Sequence, residues 1–334
     1  MDLTDPAVLS GSEWPMHGLA DDIRPALEKA LAEGPAVLAT IIALEGGGPR
    51  PVGTQMLFAQ GFASGFLSGG CIEGDVEIHA RAVLETGAPR RLVYGEGSPW
   101  PDIRLLCGAR IEILVERLDP DDEATRDLLT HATERRPAFW VSDGTRRLCA
   151  RKESAPAPWP GAFGRGFDPV PRLVVIGGDP TALALAGLGA QAGFETTLVR
   201  PKGPLEPPPL AGVAYSRAAP GEALTAIGLD PWTAVAVCGH DLALDHEALL
   251  AALPSPASYV GLLGARRRLA ERIAALRAEG LTERDLAKLR APIGLDLGGK
   301  APFEVAIAVI GEIIAARHGQ PALERRAHAE TLSI

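Results

Sequence analysis

The sequence predicts an α/β protein in two parts, an N-terminal α+β domain followed by a Rossmann-like doubly wound parallel-sheet domain. Three observations lead there. From Arg172 onward, apolar runs such as Leu173 to Ile176, Thr196 to Val199 and Ala234 to Val237 lack polar alternation and are separated by helical patterns. Strands buried on both faces of a parallel sheet read this way. Before residue 153 the strands are punctuated instead by glycine-rich turns and a hairpin signal. Between the two regimes, a stretch crowded with Pro156, Pro158, Pro160, Gly161, Gly164 and Gly166 has no hydrophobic period. The expected division is therefore 1–152 for the first domain, 153–171 for a Pro/Gly-rich linker, 172–318 for the second domain and 319–334 for a C-terminal tail.

Taken in order, Ala20 to Glu33 has helical periodicity, and Gly34-Pro35 stops it before an apolar strand over Ala36 to Leu44. A loop runs from Glu45 to Gly53 and contains Pro49-Arg50-Pro51. It leads to a strand near Thr54 to Ala59 and a glycine turn at Gly61. A second glycine-rich loop, Ser68-Gly69-Gly70-Cys71-Ile72-Glu73-Gly74-Asp75, enters a helix that runs to about Thr86. Strands are expected at Arg91 to Tyr94 and Arg110 to Glu116, a helix at Asp122 to Glu134 and a hairpin around Asp143-Gly144. In the second half, helices over Thr181 to Ala192, Asp245 to Leu253 and Arg266 to Glu279 alternate with strands, the last of them at Tyr259 to Leu263. The final helix, Pro302 to Ala316, is apolar nearly all round apart from Glu304 and Glu312, which predicts packing in a core or an interface.

Composition narrows the function. A chain of 334 residues with 46% hydrophobic content buries a sizeable core, and its 33 basic against 42 acidic residues give a net charge of -9. That balance disfavours nucleic acid and anionic lipid, so an anionic ligand needs a local positive site. The first twenty residues lack a basic region followed by an apolar stretch, and Val37 to Leu44 and Val305 to Ile314 fall short of the about 20 apolar residues that span a bilayer. The expectation is a cytoplasmic protein without a membrane segment. Cysteines at 71, 107, 149 and 238 show no CxxC spacing, which argues against a zinc ribbon and for reduced thiols.

Leu173-Val174-Val175-Ile176-Gly177-Gly178-Asp179-Pro180-Thr181-Ala182 stands where a dinucleotide-binding glycine turn would, yet Asp179 and Ala182 replace two of the three glycines. A carboxylate there repels a pyrophosphate, and Pro180 removes an N–H from the helix start. At the end of the next strand Arg200 and Lys202 replace the acidic residue that accepts the ribose of NAD. Two readings follow: the cations pair with a 2′-phosphate, giving an NADP-dependent oxidoreductase, or the fold is kept and its nucleotide site is lost. The second is preferred, so NAD(P) is expected to bind weakly at best.

Gly70-Cys71-Ile72-Glu73 enters a helix, and Cys107-Gly108 lies just before a strand. Thiols at helix N-termini tend toward the thiolate and suit soft metals or sulfur transfer; a packing cysteine is the alternative for each, and the better one for Cys149 and Cys238. Arg50, stiffened between prolines, suits a fixed anion contact or a plain surface turn. Arg266, Arg267 and Arg268 open a helix where cations oppose the dipole, which a bound anion or a solvated face explains equally. His240-Asp241 follows the fourth strand at the carboxyl edge where doubly wound sheets place ligands.

In their order and spacing these segments resemble the XdhC/CoxI family over nearly the whole chain. The resemblance is carried by Pro49-Arg50-Pro51-Val52-Gly53-Thr54-Gln55-Met56, Gly69-Gly70-Cys71-Ile72-Glu73, Cys107-Gly108, and His240-Asp241 with Ala243-Leu244-Asp245. It continues in Tyr259 to Arg267 and in Pro292-Ile293-Gly294-Leu295-Asp296-Leu297-Gly298 with Lys300, Pro302 and Glu304. The chain departs from the family pattern at Asp179, Arg200, Gly239 and Ala109. The resemblance implies a homodimeric maturation factor that carries the molybdenum cofactor in its molybdopterin form, without catalytic residues of its own. Such a factor shelters the cofactor while a cysteine-desulfurase-like sulfurase exchanges an oxo ligand for sulfur, and passes it to the apo-enzyme of a molybdenum hydroxylase. Cys71 and Cys107 are then the expected metal ligands, and Arg50, Gly70, Glu73, Gly108, His240, Asp241, Arg266 and Arg267 the further cofactor contacts. An assembly scaffold that never touches cofactor is the remaining alternative.

Overall fold

A computed structural model of the chain describes residues 15–48, 50–98, 105, 108–264 and 268–319. The chain divides into two compact units at residues 169 and 170.

In the N-terminal unit, β1 (Ala36–Glu45), β2 (Gln55–Ala59), β3 (Phe62–Gly65), β4 (Arg90–Tyr94) and β5 (Arg110–Leu118) form an antiparallel sheet in the order β3-β2-β1-β5-β4. The absence of polar alternation in β1 has a simple cause: the sheet is covered on both sides. Val37, Ala39 and Ile41 join a core with Val76, Ala80 and Val83 of α2 (Glu73–Thr86), whereas Ala36 and Leu38 face a second core. The second core also contains Leu27 of α1 (Arg24–Glu33), Leu128 of α3 (Glu123–Thr133) and Trp140. Each buried Val, Leu or Ile among them contributes roughly 1.5–3 kcal/mol, so α2 is anchored to the sheet by its own apolar stripe. A smaller antiparallel sheet, order β7-β6-β8, pairs β6 (Ala138–Ser142) with β7 (Arg147–Arg151) and β8 (Phe163–Phe167).

Two expectations are corrected here. The helix expected from Ala20 begins at Arg24, because the Asp22 carboxylate accepts from the Arg24 backbone N–H at 3.0 Å and Pro25 occupies the first turn. The expected linker is not structureless: Phe163–Phe167 forms β8, whose glycines lie on an edge strand and whose Phe167 enters the second core. A strand also forms at Phe62–Gly65, beyond the glycine turn.

In the C-terminal unit, β9 (Arg172–Ile176), β10 (Glu195–Val199), β11 (Val213–Ser216), β12 (Thr233–Val237), β13 (Tyr259–Leu262) and β14 (Leu289–Arg290) are all parallel, in the order β11-β10-β9-β12-β13-β14. This is the doubly wound order, with its switch point between β9 and β12. On one face lie α4 (Pro180–Gln191) and α9 (Pro302–Arg317), on the other α5 (Pro220–Ile227), α6 (Leu242–Ala252) and α7 (Leu269–Ala278). Strand β9 sends Leu173 and Val175 to the first face and Val174 and Ile176 to the second. The short helix α8 (Glu283–Leu286) precedes β14. Of α9, expected to pack in a core or an interface, Val309, Ile310 and Ile313 pack in the core, while Phe303, Ile307 and Ile314 are exposed.

Candidate functional site

The thiol loop of the N-terminal unit is built around one carboxylate. Gly69 and Gly70 adopt φ of +90° and +110°, a region that glycine enters without strain, and this turns successive backbone N–H groups inward. Glu73 Oε1 accepts from the N–H groups of Leu67 at 3.0 Å, Ser68 at 2.6 Å and Gly69 at 3.0 Å. Its Oε2 accepts from Gly70 at 2.9 Å, Ile72 at 3.2 Å and the Ser68 hydroxyl at 2.7 Å. Burial raises the pKa of Glu73, but the bonds from Ser68, its own N–H and Leu67 outweigh it and hold the group at about 2. The expected cofactor contact at Glu73 is thus an internal anion that sets the loop. What the loop presents outward is Cys71, which is exposed and whose N–H donates to Ser68 Oγ at 3.1 Å. Below it, Tyr94 donates to Asp75 Oδ2 at 2.6 Å and ties the first turn of α2 to β4.

Arg50 pairs with Asp21, and its guanidinium lies 4.7 Å from the ring centroid of Phe66, two residues before Ser68 of the thiol loop. Cys107 lies outside the described residues; Gly108 is exposed, and its carbonyl oxygen is 3.4 Å from where a side chain on Gly46 would begin. Among the described residues no three His, Cys, Asp or Glu side chains gather into a metal site. Cys149 and Cys238 are buried, and burial pushes both thiols up to about 12, as packing cysteines require.

In the C-terminal unit the glycine turn is occupied by the chain itself. Asp179 is the N-cap of α4: its Oδ1 accepts from the Ala182 N–H at 2.8 Å, and its Oδ2 lies 3.0 Å from Nε2 of His240. Arg200 folds across the turn, so a methyl group on Gly178 would come within 2.3 Å of its Nε. Next to His240, at the carboxyl ends of β12 and β13, is a cavity of about 290 Å³ lined by Gly239, His240, Leu263, Gly264, Arg268 and Arg272, among others. Asp241 has its carboxylate engaged as the N-cap of α6, accepting from Ala243 and Leu244 at 3.0 and 3.3 Å. Arg266 and Arg267 lie outside the described residues.

The sequence reading places Asp245 at a helix start and within the family resemblance, with no role of its own. Asp245 is fully buried, and its Oδ2 meets Arg272 at 3.2 and 3.3 Å. Burial raises its pKa against the pull of Arg272. Its Oδ1 has no partner among the described residues and presses on Gly239, where a side chain would begin 2.1 Å away. The available signal was an acidic residue four positions before Leu249 on the apolar face of a helix, where a carboxylate needs a cation.

An antiparallel α+β unit that displays a thiol loop, followed by a doubly wound unit whose glycine turn is filled from within, defines a two-part α/β protein with a candidate site in each unit. Residues 30–95 match the sequence model of the XdhC and CoxI family, and residues 173–313 match that of the XdhC Rossmann domain. The chain belongs to the XdhC and CoxI family. It is 29% identical to the molybdenum cofactor insertion chaperone PaoD of Escherichia coli K12 over 306 residues, 90% of each protein. It is 26% identical to a probable xanthine dehydrogenase subunit of Bacillus subtilis over 84% of this chain and 93% of that protein. A crystal structure described as a xanthine dehydrogenase from Bacillus halodurans superposes with a TM-score of 0.71 at 26% identity, covering 89% of this chain and 96% of that one.

Proposed function

We propose that this chain binds the molybdenum cofactor, in its molybdopterin form, as cargo. It protects the cofactor while a cysteine-desulfurase-like sulfurase acts on it, and delivers it to the apo-enzyme of a xanthine-dehydrogenase-family molybdenum hydroxylase. The observation that carries this reading is the exposed Cys71 thiol on a loop fixed by six hydrogen bonds to Glu73. A soft sulfur donor held in place at the surface suits the metal end of a molybdenum dithiolene, and arginine donors suit its terminal phosphate. Arg50, whose guanidinium lies against Phe66 beside the loop, supplies such a donor. The similarity to PaoD supports the same role. The internal occupation of the glycine turn by Asp179 and Arg200 speaks against the NADP-dependent oxidoreductase. The apolar stripe of Phe303, Ile307 and Ile314 fits a homodimer contact, and since no helix among the described residues is long and apolar enough to cross a membrane, a cytoplasmic location accords with the role.

The test is to purify the protein from a molybdate-replete host, measure bound molybdenum and pterin, and assay activation of the apo-hydroxylase. Cys71→Ala should keep its thermal midpoint, since a small exposed residue opens no cavity, and lose cofactor retention. Cys149→Ala should do the reverse. A well-folded Cys71→Ala protein that retains cofactor and activates normally removes Cys71 from the mechanism.

A further inference from the structure

Next to the thiol loop, the N-terminal unit gathers three guanidinium groups whose partners within the fold leave part of their hydrogen-bonding capacity unused. Arg24 opens α1 and is only 5% exposed, Arg165 belongs to β8, and Arg50 lies in the loop between β1 and β2. The guanidinium of Arg24 stands 5.3 Å and that of Arg165 4.4 Å from the ring centroid of Phe167. Two carboxylates face the three cations. Asp22 takes Nε of Arg24 at 2.9 Å and Nη2 at 2.7 Å, and Asp21 takes Arg50. The neighbouring Asp168 offers Arg24 only its carbonyl, at 2.8 Å, because its carboxylate is held by Lys152 at 2.9 Å.

Arg165 has no carboxylate in ion-pair range among the described residues. In each of the three guanidinium groups one nitrogen is buried without an acceptor there: Nη1 of Arg24, Nε of Arg50 and Nη1 of Arg165. Burial, together with the charges of Arg24 and Arg50 and against the opposing Asp22, brings the pKa of Arg165 down to about 10. Buried N–H groups without acceptors and like charges packed together are both unfavourable, and one anion bearing several oxygens relieves both. Arginine suits that anion because its planar fork matches a pair of oxygens, and the flanking rings of Phe66 and Phe167 hold the guanidinium planes.

We propose that Arg24, Arg50 and Arg165 form a binding site for a phosphate-class dianion, either a phosphomonoester or free phosphate. The site draws its donors from α1, the β1–β2 loop and β8 of the N-terminal unit; it rests on the cofactor reading only in sharing Arg50, and simple phosphates test it without the cofactor. Titration calorimetry on the full chain at constant ionic strength, with inorganic phosphate, glycerol 3-phosphate and chloride as probes, tests it. Saturable one-to-one binding of the phosphate probes and none of chloride is expected. Tighter binding of glycerol 3-phosphate marks an esterified ligand, and tighter binding of inorganic phosphate marks the free ion. Arg165→Gln should weaken binding roughly tenfold or more while circular dichroism stays unchanged. Asp21→Asn removes the carboxylate that competes for Arg50 and should tighten binding by roughly threefold. A structural or merely hydrated cluster predicts no saturable phosphate binding by the wild type, or equal affinity in a folded Arg165→Gln protein, and either result overturns the site. Where Arg165→Gln fails to fold, unchanged or weaker phosphate affinity in Asp21→Asn overturns it as well.

Discussion

Replacing Glu73 with Gln preserves the length and shape of the side chain and removes the charge on which the thiol loop is organised. In the native loop two oxygens accept from five backbone N–H groups and one hydroxyl. Glutamine offers one acceptor oxygen and turns an NH₂ group toward donors that already face it. A carboxyl held at about 2 against an ordinary 4.5 corresponds to about 3 kcal/mol by linkage. The group is half-buried, so solvent screening reduces the expected loss to about 1–2 kcal/mol. Because the folded-state pKa is depressed, this contribution is present in full above 4.5 and disappears as pH falls toward 2. Urea denaturation of wild type and Glu73→Gln across this range should therefore show a constant difference from neutrality to about pH 5 that closes in more acid solution. Amide exchange at Ser68 and Gly70 should accelerate in the variant at neutral pH. A difference that does not change with pH, or a variant as stable as the wild type at neutrality, refutes the assignment of Glu73 as the internal anion of the loop.

Three further outcomes follow from the C-terminal unit. Titration calorimetry with NAD and NADP should give dissociation constants weaker than micromolar, that is, less than about 8 kcal/mol of binding free energy, because Asp179 and Arg200 already occupy the turn. Arg272→Ala leaves the Asp245 carboxylate buried without its cation and should cost about 3–5 kcal/mol, measured by denaturation. With its folded-state pKa raised, Asp245 makes that variant most stable in acid and progressively less so as pH rises through the folded value. Light scattering at micromolar concentration should return a dimer, and Phe303→Asp should convert it to a monomer without lowering helix content.

The doubly wound unit was legible because its central strands are continuous apolar runs separated by helical patterns, a signal that length and periodicity alone deliver. What escaped has local causes. Strand β11 and helix α5 follow a Pro-rich stretch that masks their short apolar runs, and β8 reads Phe163-Gly164-Arg165-Gly166-Phe167, whose glycines look like linker until β6 pairs with them. The place of Cys71 in a glycine-rich loop entering a helix was legible, whereas the packing of Arg50 against Phe66 was not, because Phe66 lies beyond two strands from it in sequence. Nor was the inward turn of Glu73, because it depends on the backbone angles of Gly69 and Gly70 rather than on residue type. Arg24 and Arg165 were likewise invisible, since they stand far apart in the chain and only the closing of β8 onto β6 places both against Phe167.

Asp179 at the start of α4 has a consequence for how the C-terminal unit behaves in a cell. In nucleotide-binding versions of this topology the positive end of the first helix is left for an incoming phosphate, and the folded state gains stability from the ligand by mass action. Here an internal carboxylate supplies that counter-charge permanently, through its bond to the Ala182 N–H and its contact with His240. The counter-charge at this helix start is therefore present whether nucleotide is abundant or scarce.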